Sequence, residues 1–224
     1  MEDLARAFAE AGPRGAGAPV IALDGLVLET RLRDNVLVGT TGIGPIWGDL
    51  SSPRVVRREM DPGLDEALRT TSAEAVARGS GYLLTFDLAI EDNLFLCWLT
   101  GVALEGFCLH LSELRVSDNS FLGCRRAGIV STGYSGGGRI DVLRNLLRVY
   151  GYGIAVGVDD ARVADNDVGP FGLFGLAGAG LENAVTVGTS AASRGSGILL
   201  APSLGPRGMD RCLVSRNRVV AVGG

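Results

Sequence analysis

The sequence predicts an all-β single domain in which short copies of one motif stack as parallel coils around a shared core. Three observations carry that expectation. Six segments align without gaps on Asn35, Asn93, Asn119, Asn145, Asn166 and Asn217. Apolar residues alternate with polar ones before each Asn, the mark of a strand with one buried face. Glycine is abundant, 34 of 224 residues, about twice ordinary usage, yet keeps no three-residue collagen period.

The motif defines its own columns. Five residues before the Asn stand Thr30, Leu88, Leu114, Ile140, Ala161 and Cys212. Three before it stand Leu32, Ile90, Val116, Val142, Val163 and Val214, and two after it Leu37, Phe95, Phe121, Leu147, Val168 and Val219. A Gly-apolar pair follows, as Gly42-Ile43, Gly101-Val102, Gly128-Ile129, Gly153-Ile154 and Gly175-Leu176. The Asn is expected to break the strand by bonding the turn backbone and tolerating left-handed φ, and the Gly to permit the next bend. Successive Asn residues lie 58, 26, 26, 21 and 51 apart. The 51 divides into two coils if Ser190 takes an Asn slot, with Val185 and Val187 before it and Gly197-Ile198 after it. The 58 is one coil plus a polar insertion at 49–80. A unit this short cannot bury its apolar side alone, so copies must stack. Strands about 4.8 Å apart would then set equivalent Asn amides in a ladder.

The forms "LRVSDNSFLGCRRAGIVSTG" and "IDVLRNLLRVYGYGIAVGVDD" resemble the right-handed parallel β-helix repeats of the pectin-lyase-like superfamily, over about residues 19–224 without the insertion. The resemblance implies a single-stranded right-handed β-helix of about seven to eight coils, its hand supported by the right-handed rule for parallel crossovers. The L-x-x-L-x-L-x-x-N pattern of leucine-rich repeats, with a helix per repeat, does not fit. At the N-terminus, within segment 1–18, Leu4, Phe8 and Ala11 at helical spacing predict a capping helix. In the insertion, Asp61-Pro62 followed by Leu64, Leu68, Ala75 and Val76 predicts a short amphipathic helix. The last coil is uncapped at Gly224, where a continuation of the polypeptide or a partner is expected.

Several functions are excluded. All 21 basic residues are Arg and the net charge is −4, so no basic field exists for nucleic acid. No apolar run approaches the ~20 residues of a membrane helix, and the start, Met-Glu-Asp, is acidic where a secretory signal is basic, so no compartment is assigned. Four cysteines without C-x-x-C pairing and one histidine, His110, argue against a zinc site or a disulfide framework. The Gly-rich stretches lack the strand-and-helix setting of a phosphate loop.

The candidate sites are few. Asp159-Asp160 is a carboxylate pair of the kind used in glycoside hydrolysis. Polygalacturonase-like members carry such a pair together with Asn-Thr-Asp, Gly-His-Gly and Arg-Ile-Lys motifs, and none of those occurs here. The superfamily's lyases often use Arg or Lys as base, and Arg115 and Arg162, four before the ladder Asn, are the best placed. Asp92 and Asp118, each preceding a ladder Asn, would stack one strand apart, where a cation can bridge carboxylates. Calcium held on stacked carboxylates is known among pectate lyases of the resembled fold. Otherwise no cofactor is implied. Tyr150 and Tyr152 flank Gly151 and are the preferred exposed aromatics for a sugar ring. The expected function is a non-catalytic scaffold or binding module for a glycan or protein, part of something longer, with a polysaccharide as the candidate partner. The alternative is a polysaccharide lyase or glycoside hydrolase acting on an acidic polysaccharide.

Overall fold

The computed structural model describes residues 19–23, 25–45, 83–106, 109–133, 139–157, 159–171, 183–187, 196–200 and 211–220. The short strand β1 (Ile21–Leu23) comes first. Each Asn then separates an incoming strand from an outgoing one. Asn35 lies between β2 (Gly25–Arg33) and β3 (Val36–Pro45), and Asn93 between β4 (Leu83–Glu91) and β5 (Leu94–Gly106). Around Asn119, β6 (Leu109–Ser117) enters, and β7 (Ser120–Leu122) and β8 (Ala127–Gly133) leave. Around Asn145, β9 (Ile140–Leu143) enters and β10 (Leu146–Val149) and β11 (Tyr152–Val156) leave. Asn166 separates β12 (Ala161–Ala164) from β13 (Asp167–Pro170). After β14 (Asn183–Val187) and β15 (Ser196–Leu200), Asn217 separates β16 (Leu213–Ser215) from β17 (Arg218–Val219).

All pairings are parallel and join one copy to the next. The incoming strands form a six-stranded sheet in the order β16-β12-β9-β6-β4-β2, and the outgoing strands, together with β1, β14 and β15, form a sheet of eleven. In the larger sheet, β5 pairs β7 through Leu94–Leu96 and β8 through its second half. One long strand thus carries that sheet around a corner, and it is nearly barrel-shaped.

This corrects the expected architecture. The described residues form parallel strands in two sheets, with no helix among them. They do not display the single-stranded right-handed β-helix of seven to eight coils. The reason is physical: the repeat dictates which side chains turn inward and where strands stop, whereas hand and closure came from the resemblance and a general crossover rule. The expected capping helix in 1–18 and the helical insertion at 49–80 lie outside the described residues, as does Ser190. The even division of the 51-residue spacing also fails. β12 pairs β16 directly, and Val185 of β14 pairs Ile198 of β15 within the large sheet.

The inward columns meet in register, Leu114 beside Ile140 and Val116 beside Val142. From Asn93 to Asn166 every residue five and three before the Asn, and two after it, is buried. Phe95 and Phe121, one level apart, stack with centroids 4.4 Å apart and planes 11° from parallel. Beneath them runs the Gly column, whose role differs from the bend expected of it. A Cβ on Gly101 would overlap the Phe121 ring and stand 2.6 Å from the Gly128 carbonyl oxygen. The glycine is therefore required by close approach between levels.

The Asn side chains join those levels. Asn119 Oδ1 accepts from the backbone N–H of Asn93 at 2.9 Å and from its Nδ2 at 3.0 Å. Asn119 Nδ2 in turn has Ile90 O, Ser117 O and Asn145 Oδ1 within 3.0 Å, and its two hydrogens serve the three acceptors. The same contacts run from Asn35 through Asn93 and on from Asn145 to Asn166, then pass directly to Asn217. Left-handed φ falls on the residue before the Asn instead: Asp34, Asp92, Asp118, Arg144, Asp165 and Arg216 lie between 51° and 59°.

Two stability outcomes follow. Asn119→Ala strands buried groups on two neighbouring levels and should cost about 2–4 kcal/mol, whereas Asn35→Ala, at the half-buried first level, should cost about 1 kcal/mol; denaturant midpoints at constant m-value measure both. Gly101→Ala should cost about 1–3 kcal/mol through overpacking, and a melting temperature equal to wild type would show that the two levels can part without penalty.

Candidate functional site

Outward-facing residues of the six-stranded sheet form three columns, at six, four and two residues before each Asn. The first holds Glu29, Asp87, Glu113, Arg139, Asp160 and Arg211. All of these except Arg139 have positive φ, from 43° for Glu29 to 55° for Asp87. Pairing between β4 and β6 skips the Asp87 and Glu113 level, resuming at Leu88 and Leu114. A non-Gly residue in this region costs roughly 1–2 kcal/mol, which Asp tolerates better than Glu. In β2, β4 and β6 the result is a bend that sets an acidic side chain on the outer rim.

A cleft of about 370 Å³ opens beside this rim. Asp87, Glu113 and Arg139 line it from the first column, Arg31, Ala89, Arg115 and Asp141 from the second, and Glu91 from the third, with Leu114 alongside. Its ionic pairing is incomplete. Arg115 approaches Glu91 at 3.7 Å, and Arg139 Nε lies 3.1 Å from Asp141 Oδ2 as an ion pair. Asp141 is 7% exposed, and its Oδ1 is buried without a hydrogen-bond partner. It stands in register between Arg115 on β6 and Arg162 on β12. Arg162 Nε is likewise buried without a partner. An acceptor and a donor left in this way demand partners or carry a desolvation penalty.

The sequence-predicted residues are not gathered into one place. Asp160 is held by Arg211 through a bidentate pair, Nε to Oδ1 at 2.5 Å and Nη2 to Oδ2 at 2.7 Å. That guanidinium keeps the Asp160 carboxyl below the usual Asp range, the wrong direction for a general acid. Asp159, half-buried on the same turn, is also engaged. Of the proposed bases, Arg115 lines the cleft and Arg162 lies two strands away.

Asp92 and Asp118 occupy the corner column. Arg33 Nε donates to Asp92 at 3.0 Å, and Arg144 grips Asp118 at 2.8 and 2.6 Å. Guanidinium groups thus stand where a bridging calcium was considered, and no group of three or more His, Cys, Asp or Glu among the described residues is arranged to hold a metal ion. Tyr150 packs on Phe171 at 5.3 Å, and Tyr152 lies against Ala127, Val130 and Ala155 on the large sheet. The two tyrosines and the two aspartates therefore belong to different surfaces. Burial pushes the Cys97 thiol up to about 12 and Cys124 higher still, so neither is a nucleophile.

Sequence reasoning missed Asp87, Glu113 and Asp141. The signal was available one column further upstream, where Glu29, Asp87, Glu113 and Asp160 recur six before the Asn.

The corner pairs give a pH prediction. Asp118 is held below the ordinary Asp range chiefly by its hydrogen bonds from Arg144. Its stabilisation is therefore complete above the unfolded Asp value of about 3.9 and is lost as pH falls through the lower folded value. Arg144→Met should return the Asp118 midpoint towards ordinary, read by carboxyl NMR titration, with a small stability loss at neutral pH because the pair is largely exposed.

No family model, curated protein or solved structure matches this chain, so its resemblance to the pectin-lyase-like superfamily rests on the repeat motif alone.

Proposed function

We propose that this chain is a non-catalytic binding module that holds a hydroxyl-rich ligand, a glycan, in the outer cleft of the six-stranded sheet. The observation that carries this reading is the composition of that cleft. Four carboxylates and three guanidiniums line it, with Ala89 and Leu114 the apolar exceptions. Sugar hydroxyls both donate and accept, so they suit a surface on which acceptors and donors alternate at strand spacing. An apolar ligand would leave these groups unpaired.

Two points favour binding over catalysis. The Asp159-Asp160 pair is committed to local contacts, including the Arg211 guanidinium. The acidic cleft also opposes the acidic polysaccharide that a lyase or hydrolase of the alternative reading would take. Calorimetric titration with neutral and charged oligosaccharides tests the proposal. Ala89→Trp, which fills the cleft, should abolish binding in a protein that melts like wild type. Asp159→Asn with Asp160→Asn should leave affinity unchanged, and no reducing ends should appear. Reducing-end release that this double variant abolishes would replace the binding reading with the hydrolytic one.

A further inference from the structure

The cleft has an acidic side. Glu29, Asp87 and Glu113 follow one another on β2, β4 and β6, all exposed, each in the same column and each with positive φ. Among the described residues none of the three is ion-paired. The lower end of the same column is different: Arg139 is bound to Asp141, and Asp160 to Arg211. Two of these unpaired carboxylates, Asp87 and Glu113, thus stand one strand apart in a cleft whose lining includes Asp141, with its partnerless Oδ1, and Glu29 continues their column beyond it. Like charges one strand apart, about 4.8 Å at the backbone, favour a cation between them. Among the described residues no three or more His, Cys, Asp or Glu are arranged to hold a metal ion, which favours an organic cation here.

The spacing selects its carrier. An extended peptide presents same-face side chains every two residues, about 6.6–6.8 Å, and falls out of step with the column. An extended amino-sugar chain turns successive rings to opposite sides, so it offers one amine to this face at every second ring, enough for one ammonium between two neighbouring carboxylates. We propose that the cleft binds a chain of amino sugars carrying protonated amines. In that arrangement an ammonium group sits between Asp87 and Glu113, and an O–H or N–H of the ligand donates to Asp141. The inference rests on the glycan-binding reading above and narrows it to a cationic sugar.

Calorimetry at about pH 6, where carboxylates are ionised and amines protonated, compares three probes: a glucosamine hexamer, its fully N-acetylated counterpart, and hexalysine. The expected result is that the glucosamine hexamer binds at least about tenfold more tightly than the acetylated one, with an affinity that falls as salt rises. Asp87→Asn combined with Glu113→Asn should erase that preference; Asn tolerates the left-handed backbone, and Glu113→Gln alone serves if the double variant melts early. Asp141→Asn should weaken the glucosamine hexamer more than the acetylated one. Equal affinity for the two hexamers overturns the cationic assignment and leaves the glycan reading in place. Hexalysine binding as tightly as the glucosamine hexamer overturns the sugar assignment. Binding of none of the three overturns both.

Discussion

The structure depends on a column of carboxamides. The amides of Asn93, Asn119 and Asn166 each bond the backbone of their own turn, the backbone of the level before, and the amide of the level after. The strands of the two sheets meet at this corner, where the chain leaves one sheet for the other and its ladder hydrogen bonds are interrupted. Buried N–H and C=O groups there need substitutes. A carboxamide supplies donors and an acceptor at the reach required, and its spacing from level to level is the strand spacing itself. Six residues therefore set the height of the strands that flank them in both sheets.

From this constraint the packing follows. Once levels are fixed, the residue two after the Asn must lie directly over its counterpart, so Phe95 and Phe121 stack flat. The space this takes is provided by Gly42 and Gly101, which sit under those rings with no room for a side chain. The left-handed residue immediately before each Asn turns its side chain out of the corner. From Asp118 onward Asp and Arg alternate there, and neighbours of opposite charge pair across levels, as in Asp118 with Arg144 and Asp165 with Arg216. The Asn column, the glycines and the charged corner are three consequences of one repeat height.

Much of this was legible in the residues. The inward positions, the strand limits and the links from Asn35 to Asn166 follow from the alignment on Asn, because burial and amide geometry act locally on each copy. What was not legible depended on distant parts of the chain. Val185 and Val187 carry the same alternation as any incoming strand, yet they pair with β15 and leave β16 to dock on β12. Alternation specifies a buried face and is silent on which neighbour covers it. The gathering of the strands into two sheets escaped for the same reason. The cleft escaped for another: outward columns are not selected by burial, so an apolar-pattern search passes over Asp87, Glu113 and Asp141.

That freedom of the outer face explains why the site lies where it does. Five of the six copies bend six residues before the Asn, and packing leaves the identity of the side chain there open. In the later copies the column is closed by ionic pairing, with Arg211 on Asp160 and Arg139 on Asp141. In the earlier copies it carries carboxylates alone, at the price of strain in Glu29 and Glu113 and of mutual repulsion along the row. Neither cost helps the stack, which is held by the opposite faces of the same strands. Asp87 and Glu113, charges that the stack does not need, lie in the same cleft as a buried carboxylate oxygen with no partner, and the proposed ligand would neutralise the first and donate to the second.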